Sequence, residues 1–377
     1  MRVVVAPDSF GGTLSAAEAA AAIGAGWAAG AGHDEVVLRP LSDGGTGFVD
    51  VLATALDGTR LPVRVPDPLG REVRGEVLVS GDTAYVESAQ ACGLHLLTAE
   101  ERDPLVTTSY GLGVLLAAAV DSGARTVVIG LGGSATNDGG AGMLTALGAI
   151  PRDAIGGVLP YGGLALRAAA AIDGMARLRD VGFVLSSDVD NPLLGPSGAS
   201  AVFGPQKGAS ADDVARLDHA LSVWAELLQA LPGCPPEVAA QPGAGAAGGI
   251  GAALLALGGR REMGIGLVRQ IVGFDDMLAG ADLVVTGEGT LDAQSVRGKV
   301  VSGVAAAAAE HGLSCLVLAG QVALGGQEMA AAGVDAAYSL AEHAGSVAAA
   351  MADPAAQLRS LARRVAKQWS TGDQRVP

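Results

Sequence analysis

Apolar residues along the chain fall into short blocks separated by polar, glycine-dense turns. The blocks at 2–6, 35–39, 126–129, 183–185, 282–286, 314–318 and 336–339 are short and mostly rich in Val, Ile and Leu, as strands buried on both faces require. Between them lie Ala- and Leu-rich stretches that predict helices at about 16–28, 46–56, 109–122, 143–147, 211–230 and 355–369. The first of these is entered through Ser15, with Glu18 three residues on as a capping box. The last puts Leu358, Leu361 and Val365 on one face. Residues 61–86 alternate instead, with Pro66, Pro68 and Gly81 as turn markers, which predicts an antiparallel meander. Strand–helix alternation at both ends of the chain suggests that the C-terminal part returns to the parallel sheet begun at the N-terminus.

A chain of 377 residues is long for one core, so two domains are expected, with a boundary near Gly58. Half the residues are apolar but only 3% are aromatic, so the interior must be built from Ala, Val and Leu, with 57 glycines shaping the loops. A formal net charge of −15 argues against a broad nucleic-acid footprint. It leaves an anionic substrate open, because backbone amides and a metal act locally. The three cysteines have no paired spacing, which argues against a disulfide framework or a zinc site. With no leader-like apolar segment and no long apolar run, the expectation is a cytoplasmic protein without membrane association.

Candidate chemistry concentrates in the turn after the strand at 126–129. Gly130, Gly132 and Gly133 are expected to take positive φ and come close to a ligand, and Gly139 and Gly140 stand where the next helix should begin. Ser134, Thr136, Asn137 and Asp138 add hydroxyls, an amide and a carboxylate suited to a polyol, a metal-bound phosphate or both. The alternative is that Asp138 only caps the helix. Gly130, Gly132 and Ala135 also fit G-x-G-x-x-A, but in a dinucleotide-binding turn the helix opens sooner.

Other strand ends carry acids as well. Asp8 and Ser9 follow the first strand, and Asp43, Gly44 and Gly45 follow the second, where Asp43 reads equally as an N-cap. Asp188, Asp190 and Asn191 form a candidate hard-cation site, although Pro192 excludes an EF-hand loop. Glu288 and Asp292 are expected in a turn at 287–292, ahead of Gly298 and Lys299. Ala293 and Val300 exclude a Walker A loop there. Lys207 reads either as a phosphate-binding point charge or as an ordinary exposed lysine. The small apolar run at 242–251 suits close backbone packing or a ligand site. Five scattered histidines share no ligand spacing and define no Ser/His/Asp order. Carboxylates beside glycine-rich amide nests suit Mg²⁺–nucleotide chemistry.

At these same residues the chain resembles the bacterial glycerate kinase family of the type that begins with APDSF. The resemblance rests on Ala6-Pro7-Asp8-Ser9-Phe10, Asp43-Gly44-Gly45, GGSATNDGGAG at 132–142, residues 188–193, GASAVFGPQKGAS at 198–210, PGAGAAGG at 242–249, and TGEG at 286–289 with Gly298-Lys299. It implies two α/β domains with a cleft between them, ATP as phosphoryl donor, Mg²⁺, and glycerate as acceptor, commonly at its 2-hydroxyl. With the pattern above, it predicts a Rossmann-like parallel-sheet domain from residues 1–58 and 281–370, an inserted mixed α/β domain at 59–280, and a flexible tail at 371–377.

In that reading Asp8, Asp43 or Asp188 deprotonates the acceptor hydroxyl or binds Mg²⁺, and Asp188 with Asp190 is the candidate metal pair. Ser9, Gly44, Gly45, Gly132, Gly133, Ser134, Asn137, Asp138, Asn191, Lys207, Glu288, Asp292 and Lys299 are candidates for holding substrate or phosphate. The sequence departs from the family pattern at Gly11, Thr46 and Thr290, where lysine, glutamate and arginine are usual. Arg297 is a candidate replacement charge. These departures leave open a kinase of a related hydroxy acid, or a catalytically weak relative that binds a sugar acid or nucleotide as a sensor or regulator. A homodimer is compatible with the sequence.

Overall fold

The computed structural model describes residues 1–174, 181–296 and 298–370, so Arg297 and the expected tail at 371–377 lie outside the described residues. The chain forms two compact units. One comprises Met1–Asp43, Asp50–Leu56 and Ile265–Pro377, the other Gly44–Val49 and Asp57–Gly264.

The first unit is built on a five-stranded parallel sheet in the order Ala336–Ser339, Ser314–Val322, Leu283–Leu291, Arg2–Val5, Glu35–Leu38. Both chain ends therefore contribute to one sheet, as the alternating pattern suggests. Strand order reverses between Arg2–Val5 and Leu283–Leu291, and in open α/β sheets such a switch point is where ligands bind, beyond the carboxyl ends of the strands. The turn expected at 287–292 is not a turn. Strand Leu283–Leu291 runs on, with Thr290 opposite Gln321 and Leu291 opposite Val322. Its other neighbour pairs only as far as Val285, so the last residues form a two-stranded ribbon projecting past the sheet.

Helix Ala16–Gly30 starts at the expected Ser15–Glu18 capping box. It packs against helix Pro354–Trp369, whose Leu358, Leu361 and Val365 are buried as their spacing predicts. The two helices meet backbone to backbone. A Cβ at Gly26 would overlap the Arg359 carbonyl and the Ala362 methyl, and one at Gly30 would overlap the Arg363 carbonyl and Ala366.

The second unit carries a six-stranded mixed sheet in the order Arg260–Glu262, Gly182–Ser186, Thr126–Gly130, Thr83–Glu87, Glu72–Ser80, Thr59–Pro66. The last three strands are the expected meander, joined by antiparallel pairing, and the others are parallel. Helices Tyr110–Asp121, Ala211–Gln229 and Ala246–Ala256 supply much of a core in which Trp224 is the largest side chain. A short hairpin, Ile150–Arg152 with Ala171–Asp173, brackets the glycine-rich stretch at 156–163. Among the described residues no helix is long and apolar enough to cross a membrane.

Gly26→Ala is expected to destabilise the first unit by about 2 kcal/mol, because the rigid carbonyl of Arg359 cannot yield to the new methyl. Gly326→Ala, where nothing lies within 4 Å of the added carbon, is expected to be neutral or slightly stabilising. Urea unfolding of the two variants measures the contrast, and equal effects would contradict the packing described.

Candidate active site

At the switch point of the first unit the connections after the first two strands and the strand Leu283–Leu291 are stitched together. Thr286 Oγ1 donates to the Ala6 carbonyl (2.7 Å), the Asp8 amide to Gly287 O (2.8 Å) and the Leu41 amide to Pro7 O (3.0 Å). The carboxyl groups of Asp8, Asp43 and Glu288 are thereby brought close enough to act on one another electrostatically. Burial, then Asp43 and Glu288, push Asp8 up to about 8, against the opposing Ser9 amide (2.6 Å from Oδ1) and Lys299. Burial, with Asp292 and Asp43, likewise raises Glu288 to about 7, while Ser295 and Lys299 oppose. Glu288 Oε1 is buried without a hydrogen-bond partner among the described residues. Lys299 stands at the N-cap of helix Val300–Glu310, its ammonium 3.5 Å from Gln294 Oε1. Asp292 is engaged in its own turn, accepting from the amide of Gln294 (2.7 Å).

In the second unit the turn after strand Thr126–Gly130 is held from three sides. Gly130 and Gly132 do not take the expected positive φ. They are needed for a different reason: a Cβ at either would strike the backbone of Gly44 or Gly45, and the Gly132 amide donates to Gly44 O (3.0 Å). Gly133, Gly139 and Gly140 do take positive φ, the last at the N-cap of helix Ala141–Ala146. Gly44 in turn lies against the backbone of Ser186. Glu87, buried, accepts from the amides of Gly47 (3.1 Å) and Val49 (3.4 Å).

Asp138 is 1% exposed. Its carboxylate accepts from Ser109 N and Ser109 Oγ (both 2.8 Å) and from the amides of Gly140 and Gly142 (both 3.2 Å). Burial raises its pKa and these four donors oppose the rise. Ser109 Oγ also accepts from Met143 N (2.9 Å), so this serine joins two helix starts rather than capping its own helix with its side chain.

Lys207 is not an exposed lysine: at 2% exposure it donates to Ser134 Oγ (3.1 Å) and to the Thr136 carbonyl (2.7 Å). Desolvation lowers its pKa to about 8, and Asp138 opposes that shift. Asn137 Nδ2 donates to Ser200 Oγ (2.9 Å). Thr136 Oγ1 and Asn137 Oδ1 are buried with no partner among the described residues. The run at 242–251 gives close backbone packing: Ala247, Gly248 and Gly249 are left-handed, and Gly248 abuts the Thr136 carbonyl where no Cβ would fit.

The candidate cation pair lies on the loop after strand Gly182–Ser186. Asp188 is half-buried, whereas Asp190 is exposed and pairs with no basic group among the described residues. Asn191 donates to Ser197 O (2.7 Å). No group of three or more His, Cys, Asp or Glu side chains able to hold a metal is found among the described residues. The sequence reading missed the roles of Ser109, Ser200 and Glu87. Their partners lie 29, 63 and about 40 residues away, and no local spacing encodes such pairings.

The model of the glycerate kinase family matches residues 3–370. The chain is 42% identical over 370 residues to a glycerate kinase of Halalkalibacterium halodurans, covering 97% of both chains. It is 43% identical to the glycerate 2-kinase of Escherichia coli, covering 92% of both. Its structure matches one described as glycerate kinase 2 from Salmonella typhimurium LT2 with TM-score 0.80 and 41% identity, covering 99% of each chain.

Because the folded-state pKa of Asp8 is raised above its unfolded value, the native state keeps a proton that the unfolded state has released. Its stabilising contribution is therefore complete below the unfolded pKa and is lost as pH rises from about 4 to about 8. Asp8→Asn removes that loss: in a metal chelator its Tm should exceed the parent's by about 3 °C or more at about pH 8, and by much less at about pH 5. A pH-independent difference in calorimetry would count against a half-buried, crowded Asp8. Ser109→Ala should cost about 2–3 kcal/mol in urea unfolding, since it takes one donor from Asp138 and leaves the Met143 amide without an acceptor. An unchanged unfolding midpoint would contradict that linkage.

Proposed function

The chain belongs to the glycerate kinase family, and from that premise we propose that it transfers the terminal phosphoryl group of ATP to the 2-hydroxyl of D-glycerate with Mg²⁺. The observation that carries the proposal is the acid cluster of Asp8, Asp43 and Glu288 at the switch point of a chain matched to this family over almost its whole length. The name of the Escherichia coli relative supports the 2-hydroxyl as the acceptor position.

A general base works best when its pKa lies near the working pH. Asp8, pushed up to about 8, meets that requirement, and in this reading its carboxylate takes the proton of the attacking hydroxyl. Desolvation, with Asp43 and Glu288, holds Asp8 in that range, and Lys299 meets phosphoryl oxygens as a point charge. Asp292, occupied in its own turn, positions the segment that leads to Lys299.

In the second unit the close backbone packing of Gly44 and Gly45 on Gly132, beside Gly133, shapes the turn for substrate or phosphate, and Thr136 Oγ1 and Asn137 Oδ1 lie buried and unpaired in it among the described residues. Ser134, Asp138 and Lys207 act by holding that turn in shape. Mg²⁺ commonly takes one or two protein carboxylates and fills its shell with phosphate oxygens and water. The exposed Asp190 with Asp188 fits that demand, and Asn191 supports their loop. When bound, the ion would offset negative charge on the phosphoryl oxygens.

Purified protein given Mg-ATP and D-glycerate should release ADP, and its product should be consumed directly by enolase, which accepts 2-phosphoglycerate. Asp8→Ala and Asp188→Ala should each lower kcat by at least about 10²-fold with the fold retained. Near-parental turnover in both variants would overturn the residue roles. Turnover of glycolate or tartronate but not D-glycerate would overturn the acceptor.

A further inference from the structure

The acid cluster leaves unexplained a neighbouring cavity of about 180 Å³ in the first unit. It opens at the carboxyl ends of the parallel strands. Phe10 and Gly11 come from the connection after the first strand, Gly289, Thr290, Gly320 and Gln321 from the projecting ribbon, and Leu340 from the connection after the last strand. Helix Val347–Ala352 adds Val347, Ala350 and Met351.

Three features describe what it would accept. Among the described residues no lining side chain is charged, so none of them offers a phosphate or a carboxylate a counter-charge. Its surface is mainly apolar, with one side-chain amide, two threonine hydroxyls and glycine backbone at the edges, the mixture that suits a flat group with polar rims. Two apolar side chains at its mouth, Val347 and Met351, are 41% and 60% exposed, as expected of surfaces that a ligand covers. The glycines keep the ribbon thin: Gly320 lies so close to the Gly289 carbonyl that no Cβ would fit between them.

We propose that this cavity receives the purine base of the donor nucleotide, leaving the phosphates outside it, toward Asp8, Glu288 and Lys299. The proposal rests on the reading of ATP as donor. It adds the location of the base and the residues that select a nucleotide over a bare polyphosphate. Glu288 and Thr290 lie two residues apart on one strand, and Asp8 and Phe10 two apart on one connection, so cavity and acid cluster are contiguous in the chain at two independent points.

Val347→Asp and Met351→Asp place a carboxylate at the mouth on side chains that are already exposed, so folding should survive; circular dichroism and Tm check it. Calorimetric titration with Mg-ATP, adenosine and Mg-tripolyphosphate, together with the KM for ATP and for glycerate, then tests the assignment. Adenosine should bind the parent protein and compete with ATP. In both variants the KM for ATP and the Kd for adenosine should rise at least about tenfold, while tripolyphosphate affinity and the KM for glycerate stay within about twofold. ATP-dependent turnover with an unaltered KM for ATP in both folded variants would overturn the base assignment and leave the donor reading standing. A parent protein that binds neither ATP nor adenosine would overturn both.

Discussion

The carboxylate of Asp138 is the point on which the second unit's turn depends. One oxygen pair, removed from water, gathers four donors from two separate segments, and one of those donors, the Ser109 hydroxyl, passes the constraint on to Met143. An ionised carboxylate buried without partners would be very costly, whereas one with several backbone and hydroxyl donors is tolerated. The helices Tyr110–Asp121 and Ala141–Ala146 therefore start where Asp138 requires, and the turn between strand and helix has little freedom left. Lys207 restrains the same turn from the other side through Ser134 and Thr136. What remains polar and unpaired there, Thr136 Oγ1 and Asn137 Oδ1, is held by neighbours that are themselves satisfied.

The first unit treats its carboxylates in the opposite way. Asp8 and Glu288 receive too few donors to offset burial and the acids beside them, so both are held well above the usual carboxylate range. That arrangement stores unfavourable charge where a cation or a proton would relieve it, which is the electrostatic requirement for handling a hydroxyl proton and a polyphosphate. The chain thus contains a saturated carboxylate that organises structure and a crowded set that is poised for chemistry. Both lie at or beyond the carboxyl halves of strands in segments that contain glycine, so local sequence alone does not tell them apart.

This limits what was legible in the chain. Elements were readable where one segment carries its own signal. The capping box at Ser15 and Glu18, the alternation of the meander and the apolar face of the last helix are all present as expected. The return of the C-terminal strands to the N-terminal sheet was readable because parallel strands need helical crossovers. What could not be read were conditions imposed by distant backbone. Gly130 and Gly132 are glycines because another loop passes against them, not because their own φ demands it. Lys207 is buried because Ser134 and Thr136, some seventy residues earlier, face it. The TGEG segment has the composition of a turn and is a strand, because the neighbouring Ser314–Val322 strand extends with it and pairs every residue from Leu283 to Glu288.

That extended ribbon also bears on how an acidic protein can handle anions. With a net charge of −15, the overall field repels a polyphosphate, so recognition has to come from short-range terms. The ribbon separates two such environments within a few residues of one strand. Glu288 belongs to a charged cluster with Lys299 and neighbouring acids, while Gly289 and Thr290 border a cavity that is uncharged among the described residues. A ligand that is anionic at one end and flat and neutral at the other gains something from each. A simple anion gains only from the first, where screening and competing acids keep the attraction weak. Selectivity against the many small anions of a cell can therefore arise from burial of the neutral end, without any increase in positive charge.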